Sequence, residues 1–136
     1  MREALREEVL EAPVFPDMRA LLDYMRAEIA HEPAEQLRVL FLDSTNRLIR
    51  DEPMALGSIN ETAVYPREIV RRALEINATA LLLVHNHPSG DPSPSRGDIE
   101  ATARVAEAAR LLEIVVHDHI IVARSGWSSF RALGLM

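Results

Sequence analysis

Residues 85–98 read HNHPSGDPSPSRGD, directly after the apolar run Ala80–Val84. His85 and His87 stand two positions apart. In extended chain such side chains project from the same face, so at a strand end both imidazoles can reach one point. Neutral imidazole is a good zinc ligand, at about 2.0–2.1 Å. Asp98 is a candidate third ligand, delivered from the first turn of a following helix. Three protein ligands leave a fourth position for water, the arrangement of catalytic rather than structural zinc.

Simpler readings compete with this one. A lone His-x-His usually carries no metal. Ser95-Arg96-Gly97-Asp98 resembles a capping box, although Glu or Gln is the more usual partner at its fourth position. Pro88, Gly90, Pro92 and Pro94 can merely shape a surface loop. The combination singles the stretch out: two histidines at a buried strand end, a tight loop, then Ser and Asp opening a helix. A second His-x-His, His117 and His119 around Asp118, has no third ligand in sequence. It reads as structural hydrogen bonding, with Asp118 and His119 ordering the sheet near the site. His31 suits the negative end of a helix, and Trp127 reads as core or interface.

The elements that must position these groups follow from periodicity. Asp17 is an expected N-cap for a helix with Met18, Leu21, Leu22, Met25 and Ile29 on its apolar face, ending near His31 because Pro33 follows. Leu37–Asp43 reads as a strand, Asp43–Asn46 as a turn, Arg47–Arg50 as the returning strand, and Met54–Ile59 as a third. Pro66 opens a second helix with Ile69, Val70, Ala73 and Leu74 as its stripe and Asn77 as its stop. TALLLVH, apolar at nearly every position, fits a strand covered on both faces. Ser95 starts a third helix whose inner face uses Ile99, Ala103, Ala106, Ala109 and Leu112. EIVVHDHIIVA gives one bent strand or two short ones, Arg124–Gly126 a turn, and SSFRALGLM a short amphipathic end. Helices interleaved with strands and hairpins indicate an α/β domain with a mixed sheet.

Composition narrows the class. At 136 residues, with 48% hydrophobic and 26% charged content, the chain reads as one globular domain able to stand on its own core. It has no cysteine, which excludes disulfides and thiolate metal sites and favours a reducing, cytoplasmic setting. The start MREALREEVLEAPVF has no apolar segment of signal-peptide length, and no apolar run approaches the roughly 20 residues of a membrane span. The net charge of −6 argues against broad binding to phosphate backbones; Arg67, Arg71 and Arg72 form the one conceivable basic patch.

The spacing His-x-His, seven residues, Ser, two residues, Asp resembles the metal motif of JAMM metalloproteases on the JAB/MPN fold. The segment 65–135, with the signature HNHPSGDPSPS, and AEQLRVLFLDSTNRLI upstream resemble the bacterial RadC-type branch from about residue 17 to the C-terminus. The resemblance implies a mixed sheet flanked by helices, of cytidine-deaminase-like architecture, over residues 17–136, with 1–16 peripheral. It implies zinc on His85, His87 and Asp98, Ser95 as hydrogen-bond donor to an oxyanion, and an upstream glutamate as general base. Glu35, just before the first strand, matches the position of that base; Glu32, Glu61 and Glu68 read as ordinary surface charges. The implied activity is hydrolysis of a peptide or isopeptide bond by metal-activated water, on an unidentified peptide or protein.

Two departures stand out. Asn86 occupies the place of the Ser or Thr common between the histidines of JAMM peptidases, as it does in RadC-type chains. The helix-hairpin-helix DNA-binding module of many RadC-type proteins has no room here, so DNA association is disfavoured. The contiguous HNH is unlike the dispersed motif of HNH nucleases. Two other readings are a non-catalytic interaction module and a DNA-repair accessory protein. The oligomeric state stays open.

Overall fold

The computed structural model describes residues 18–56 and 66–136. The expected N-cap at Asp17, the peripheral segment 1–16, the end of the expected third strand at Ile59, and Glu61 lie outside the described residues. The elements are α1 (Met18–Ile29), β1 (Gln36–Leu42), β2 (Leu48–Leu56), α2 (Pro66–Glu75), β3 (Ala80–Asn86), α3 (Arg96–Arg110), β4 (Val115–Ala123) and β5 (Gly126–Ser129). The strands form one sheet in the order β2-β1-β3-β4-β5. β3 pairs antiparallel with β1 and parallel with β4, and both outer pairings are antiparallel. The parallel pair needs a long crossover, which α3 supplies.

Alternation along the strands builds two cores. Leu40, Leu42, Leu82, Val84, Ile120 and Val122 face α1, where they bury Leu21, Leu22, Met25 and Ile29. Leu37, Val39, Phe41, Leu81 and Leu83 face α2 and α3, against Ile69, Val70, Ala73, Val105 and Ala109. β3 is central and buried at all its positions, as its unbroken apolar run predicts. This mixed sheet, flanked on both faces by helices, is the expected α/β architecture.

Four local expectations change. The separate strands Arg47–Arg50 and Met54–Ile59 are one nine-residue strand, β2. Pro53 does not interrupt it, because β2 is an edge strand and its outer side needs no ladder donor. The inner face of α3 is Asp98, Thr102, Val105 and Ala109 rather than the line through Ala103 and Leu112, both of which are exposed. Two polar residues face inward there because each has a buried partner. On α2, Leu74 turns outward at 52% exposure, while Asn77 takes φ 59° and stops the helix as a left-handed cap. Tyr24, absent from the expected face of α1, is buried there, and its hydroxyl hydrogen-bonds Asp51.

β4 is one strand with a bulge. Val116 pairs with Leu81 and Asp118 with Leu82, so His117 is the extra residue. Side chains alternate with period two, so one inserted residue moves all later side chains to the opposite face. The bulge thereby brings His119, partnered with Leu83, onto the face that carries His85.

Candidate metal centre

The site forms at the carboxyl end of β3. His85 is fully buried on the α2/α3 face, and His87 is half-buried where the chain leaves the sheet. The main-chain N–H of His87 still donates to Val122 at 3.0 Å, so the histidines keep their extended spacing. Their Nε2 atoms are 2.9 Å apart. His87 Nδ1 lies 2.9 Å from the Asp91 carbonyl. A carbonyl only accepts, so Nδ1 carries a proton; Nε2 faces Asp98, as a donor when protonated and with a lone pair when an ion is bound.

The intervening loop is tied to the neighbouring hairpin. Ser125 N–H donates to Gly90 O at 3.3 Å, and Ser128 Oγ donates to Pro92 O at 2.6 Å. Gly90 sits at φ 93°, a conformation costly for residues with a Cβ. Ser95 then caps α3 as expected, in a complete capping box. Its Oγ accepts from Asp98 N–H at 3.0 Å, and Asp98 Oδ2 accepts from Ser95 N–H at 2.8 Å. Asp closes the box where Glu is usual. Its shorter side chain leaves the carboxylate tucked against the helix start, facing the histidines.

Asp98 Oδ1 is 3.3 Å from His85 Nε2, and Oδ2 is 3.1 Å from His87 Nε2. Two ligands on one tetrahedral zinc at about 2.0–2.1 Å stand roughly 3.3–3.4 Å apart. The three groups are therefore spaced close to a shared ion. Burial pushes the Asp98 carboxyl up, but the two imidazoles and Ser95 N–H overcome it and hold Asp98 well below the usual carboxylate range. Burial opposes charge on His87, yet Asp98 and the Asp91 carbonyl raise its pKa. The local field thus favours a cation at this point.

Glu35 joins from the loop before β1. One ligating atom from each of Glu35, His85 and His87 lies within 4.8 Å of the others, a set that could hold a metal ion. Glu35, His87, Ser95 and Asp98 line one cleft of about 270 Å³ with Ser89, Asp91 and Ser93. All five expected site residues are thus brought to one place: Glu35, His85, His87, Ser95 and Asp98. Of the alternative glutamates, Glu32 is exposed just upstream, and Glu68 is on α2 bonded to Arg71.

Three further residues support the site. Asn86, on the opposite face of β3 from His85, accepts from Gln36 N–H at 2.8 Å and donates to Ala34 O and Glu32 O at 3.1 and 3.3 Å. It fastens the loop that carries Glu35. His119 contacts His85 directly and Thr102 on its other side. Its role is therefore closer to the site than ordering the sheet. Burial, then the neighbouring His85, hold its pKa well below the ordinary imidazole value. His117 turns away to Asn46 Oδ1 at 2.9 Å, so the second His-x-His does not converge. Only the unusual HDH spacing hinted at His119; Thr102 had no signal in sequence.

The arginines that could have made a basic patch are matched by carboxylates. Arg71 bonds Glu68 and Glu75, Arg72 bonds Glu52 and Glu75, and Arg67 lies 4.0 Å from Glu68. Among the described residues, no helix is long and apolar enough to cross a membrane.

Comparison with known proteins places the chain in a family. A "UPF0758 protein" of Rhodobacter capsulatus is 53% identical over 131 residues, covering 96% of this chain and 61% of that relative. The chain therefore spans less than two thirds of that relative's length. The RadC-like JAB domain family matches residues 15–135. With the mixed sheet and the clustered histidines and carboxylates at its centre, the chain belongs to the RadC-like JAB domain family.

Proposed function

We propose that this chain is a zinc-dependent hydrolase of peptide or isopeptide bonds. The observation that carries the reading is the meeting of His85 Nε2, His87 Nε2 and the Asp98 carboxylate at 2.9–3.3 Å beside Glu35 and Ser95 in one cleft. His85, His87 and Asp98 would hold the ion. When bound, zinc supplies Lewis acidity, polarising a carbonyl and bringing the deprotonation of water near neutral pH.

The chain's own groups do the rest. Glu35, half-buried at the cleft, takes a proton from the attacking water and returns it to the departing amine. Ser95 Oγ uses a lone pair to cap α3, and its O–H remains to donate to the oxyanion that develops as the carbonyl becomes tetrahedral. Such a donor typically contributes about 2.7–4 kcal/mol when well placed. Atoms balance as water plus amide giving carboxylic acid plus amine.

The test has two arms. Elemental analysis of protein purified without chelator should find zinc. The zinc-loaded chain should cleave members of a peptide and isopeptide library that Glu35→Gln leaves intact. Metal-replete protein with no cleavage beyond the Glu35→Gln blank would overturn the hydrolase assignment.

A further inference from the structure

Thr102, His119 and His85 form a buried chain of side chains ending at the candidate metal position. All three are 2% exposed or less, so solvent offers them no alternative partners. Thr102 Oγ1 donates to the Asp98 main-chain carbonyl at 2.8 Å, and the same oxygen meets His119 Nδ1. His119 Nε2 meets His85 Nδ1 at 2.5 Å. Phe130 stacks on the His119 ring at 4.3 Å and 15°, which fixes the ring plane.

Hydrogen-bonding capacity sets the protons along this chain. A carbonyl only accepts, so the Thr102 hydroxyl proton is committed to Asp98. The Thr102 oxygen must then accept, which places the His119 proton on Nδ1 and leaves its Nε2 as acceptor. His85 in turn must carry its proton on Nδ1. Its Nε2 is left facing His87 and Asp98, not committed to the chain and able to offer its lone pair to an ion. We propose that Thr102 and His119 are positioning residues that lock His85 in its metal-binding tautomer.

The reverse direction shows what the lock prevents. Were Thr102 to donate to His119, both imidazoles would invert. His85 Nε2 would then carry a proton at the point where the ligands converge. The bulge at His117 is part of the device, since without it His119 would face the other side of the sheet. Partners of this kind fix the tautomer and orientation of a metal-binding histidine.

This inference rests on the proposed metal site, and its test separates the two. Long-range proton–nitrogen correlation spectra of the metal-free chain should show Nδ1–H on both His85 and His119. A His85 that lacks Nδ1–H overturns the proposal. Zinc affinity is then measured by competition with a chromophoric chelator. Thr102→Val, of similar shape but lacking the hydroxyl, should bind zinc roughly 10–100-fold more weakly. Thr102→Ser, which keeps the hydroxyl, should stay near the unsubstituted chain. Equal affinity in Thr102→Val overturns the lock alone, whereas an unsubstituted chain that takes up no zinc overturns the metal site and the lock together. If Thr102→Val fails to fold, the tautomers of the unsubstituted chain decide.

Discussion

The side-chain oxygen of Asn86 accepts a hydrogen bond from the main-chain N–H of Gln36 at 2.8 Å, across fifty positions of sequence. Asn86 lies between the candidate ligands His85 and His87, yet it faces away from them. Its amide group also donates to Glu32 O and Ala34 O. One fully buried side chain thus couples the strand that bears the histidines to the loop that bears Glu35. Serine is too short to span all three bonds.

Asn86→Ala should therefore separate two properties. Zinc should remain bound, because His85, His87 and Asp98 keep their own supports. Stability should fall by about 1–3 kcal/mol, as main-chain groups lose their partner. Turnover should fall because Glu35 is no longer held. Denaturant titration and zinc analysis check the first two effects. Loss of zinc in a folded variant would show that Asn86 serves the ligands rather than the loop.

The expected metal content is one zinc per chain. His87→Ala should abolish it, since it removes one of the three converging groups. Chelation should also lower the melting temperature, because an ion that binds only the folded state adds about 2.7 kcal/mol at a hundredfold excess over Kd. Full zinc retention in His87→Ala, read by elemental analysis, would contradict the ligand assignment.

Ser95 has two roles that one substitution can separate. The capping box is explicit in the structure, so Ser95→Ala should cost about 0.5–2 kcal/mol. As an oxyanion donor, its loss should also slow hydrolysis with zinc still bound. A lower melting temperature with unchanged hydrolysis would leave only the cap.

Duplex DNA should bind weakly at roughly 150 mM salt. The net charge is −6, and Arg71 and Arg72 are engaged by Glu52, Glu68 and Glu75. Fluorescence anisotropy across a salt series is the measurement. Tight binding with a steep salt slope would reveal a basic surface that these pairings do not show.

Much of this was legible in the sequence because its signals were local. The unbroken apolar run of β3 announced a central strand. The spacing from His85 to Asp98 encoded a strand end, a loop and a helix start that geometry then brought together. What escaped depended on register and partners. The bulge at His117 inverts the facing of His119, and no periodicity rule locates an inserted residue. Thr102 and Asp98 face inward on α3 against their polarity, because buried hydrogen bonds replace apolar contact. Leu74 and Leu112 face outward against theirs, since a helix end can outrun the core it covers.

Glu35 lines the cleft with His87, Ser95 and Asp98. Its carboxylate lies with the two histidines in a set that could hold an ion, so it could be a ligand instead. The division of labour follows from how each carboxylate is held. Asp98 is 2% exposed, kept anionic by the two imidazoles and Ser95 N–H, and anchored by the first turn of α3. Glu35 is half-buried on a loop at the cleft, with longer reach and access to solvent, which suits a group that must give its proton away. Glu35→Gln keeps the size and the hydrogen-bonding capacity but removes the proton acceptor. A base replaced in this way should leave zinc content and folding intact and cut turnover by roughly 10²–10⁴-fold. A ligand replaced in this way should weaken zinc binding first. Glu32→Gln and Glu68→Gln should be nearly silent, since one is exposed upstream and the other is paired with Arg71 on α2. Zinc affinity and turnover measured on the same preparations therefore decide the role. Lost zinc would make Glu35 a ligand, and full turnover with zinc in place would move the search for the base elsewhere in the cleft.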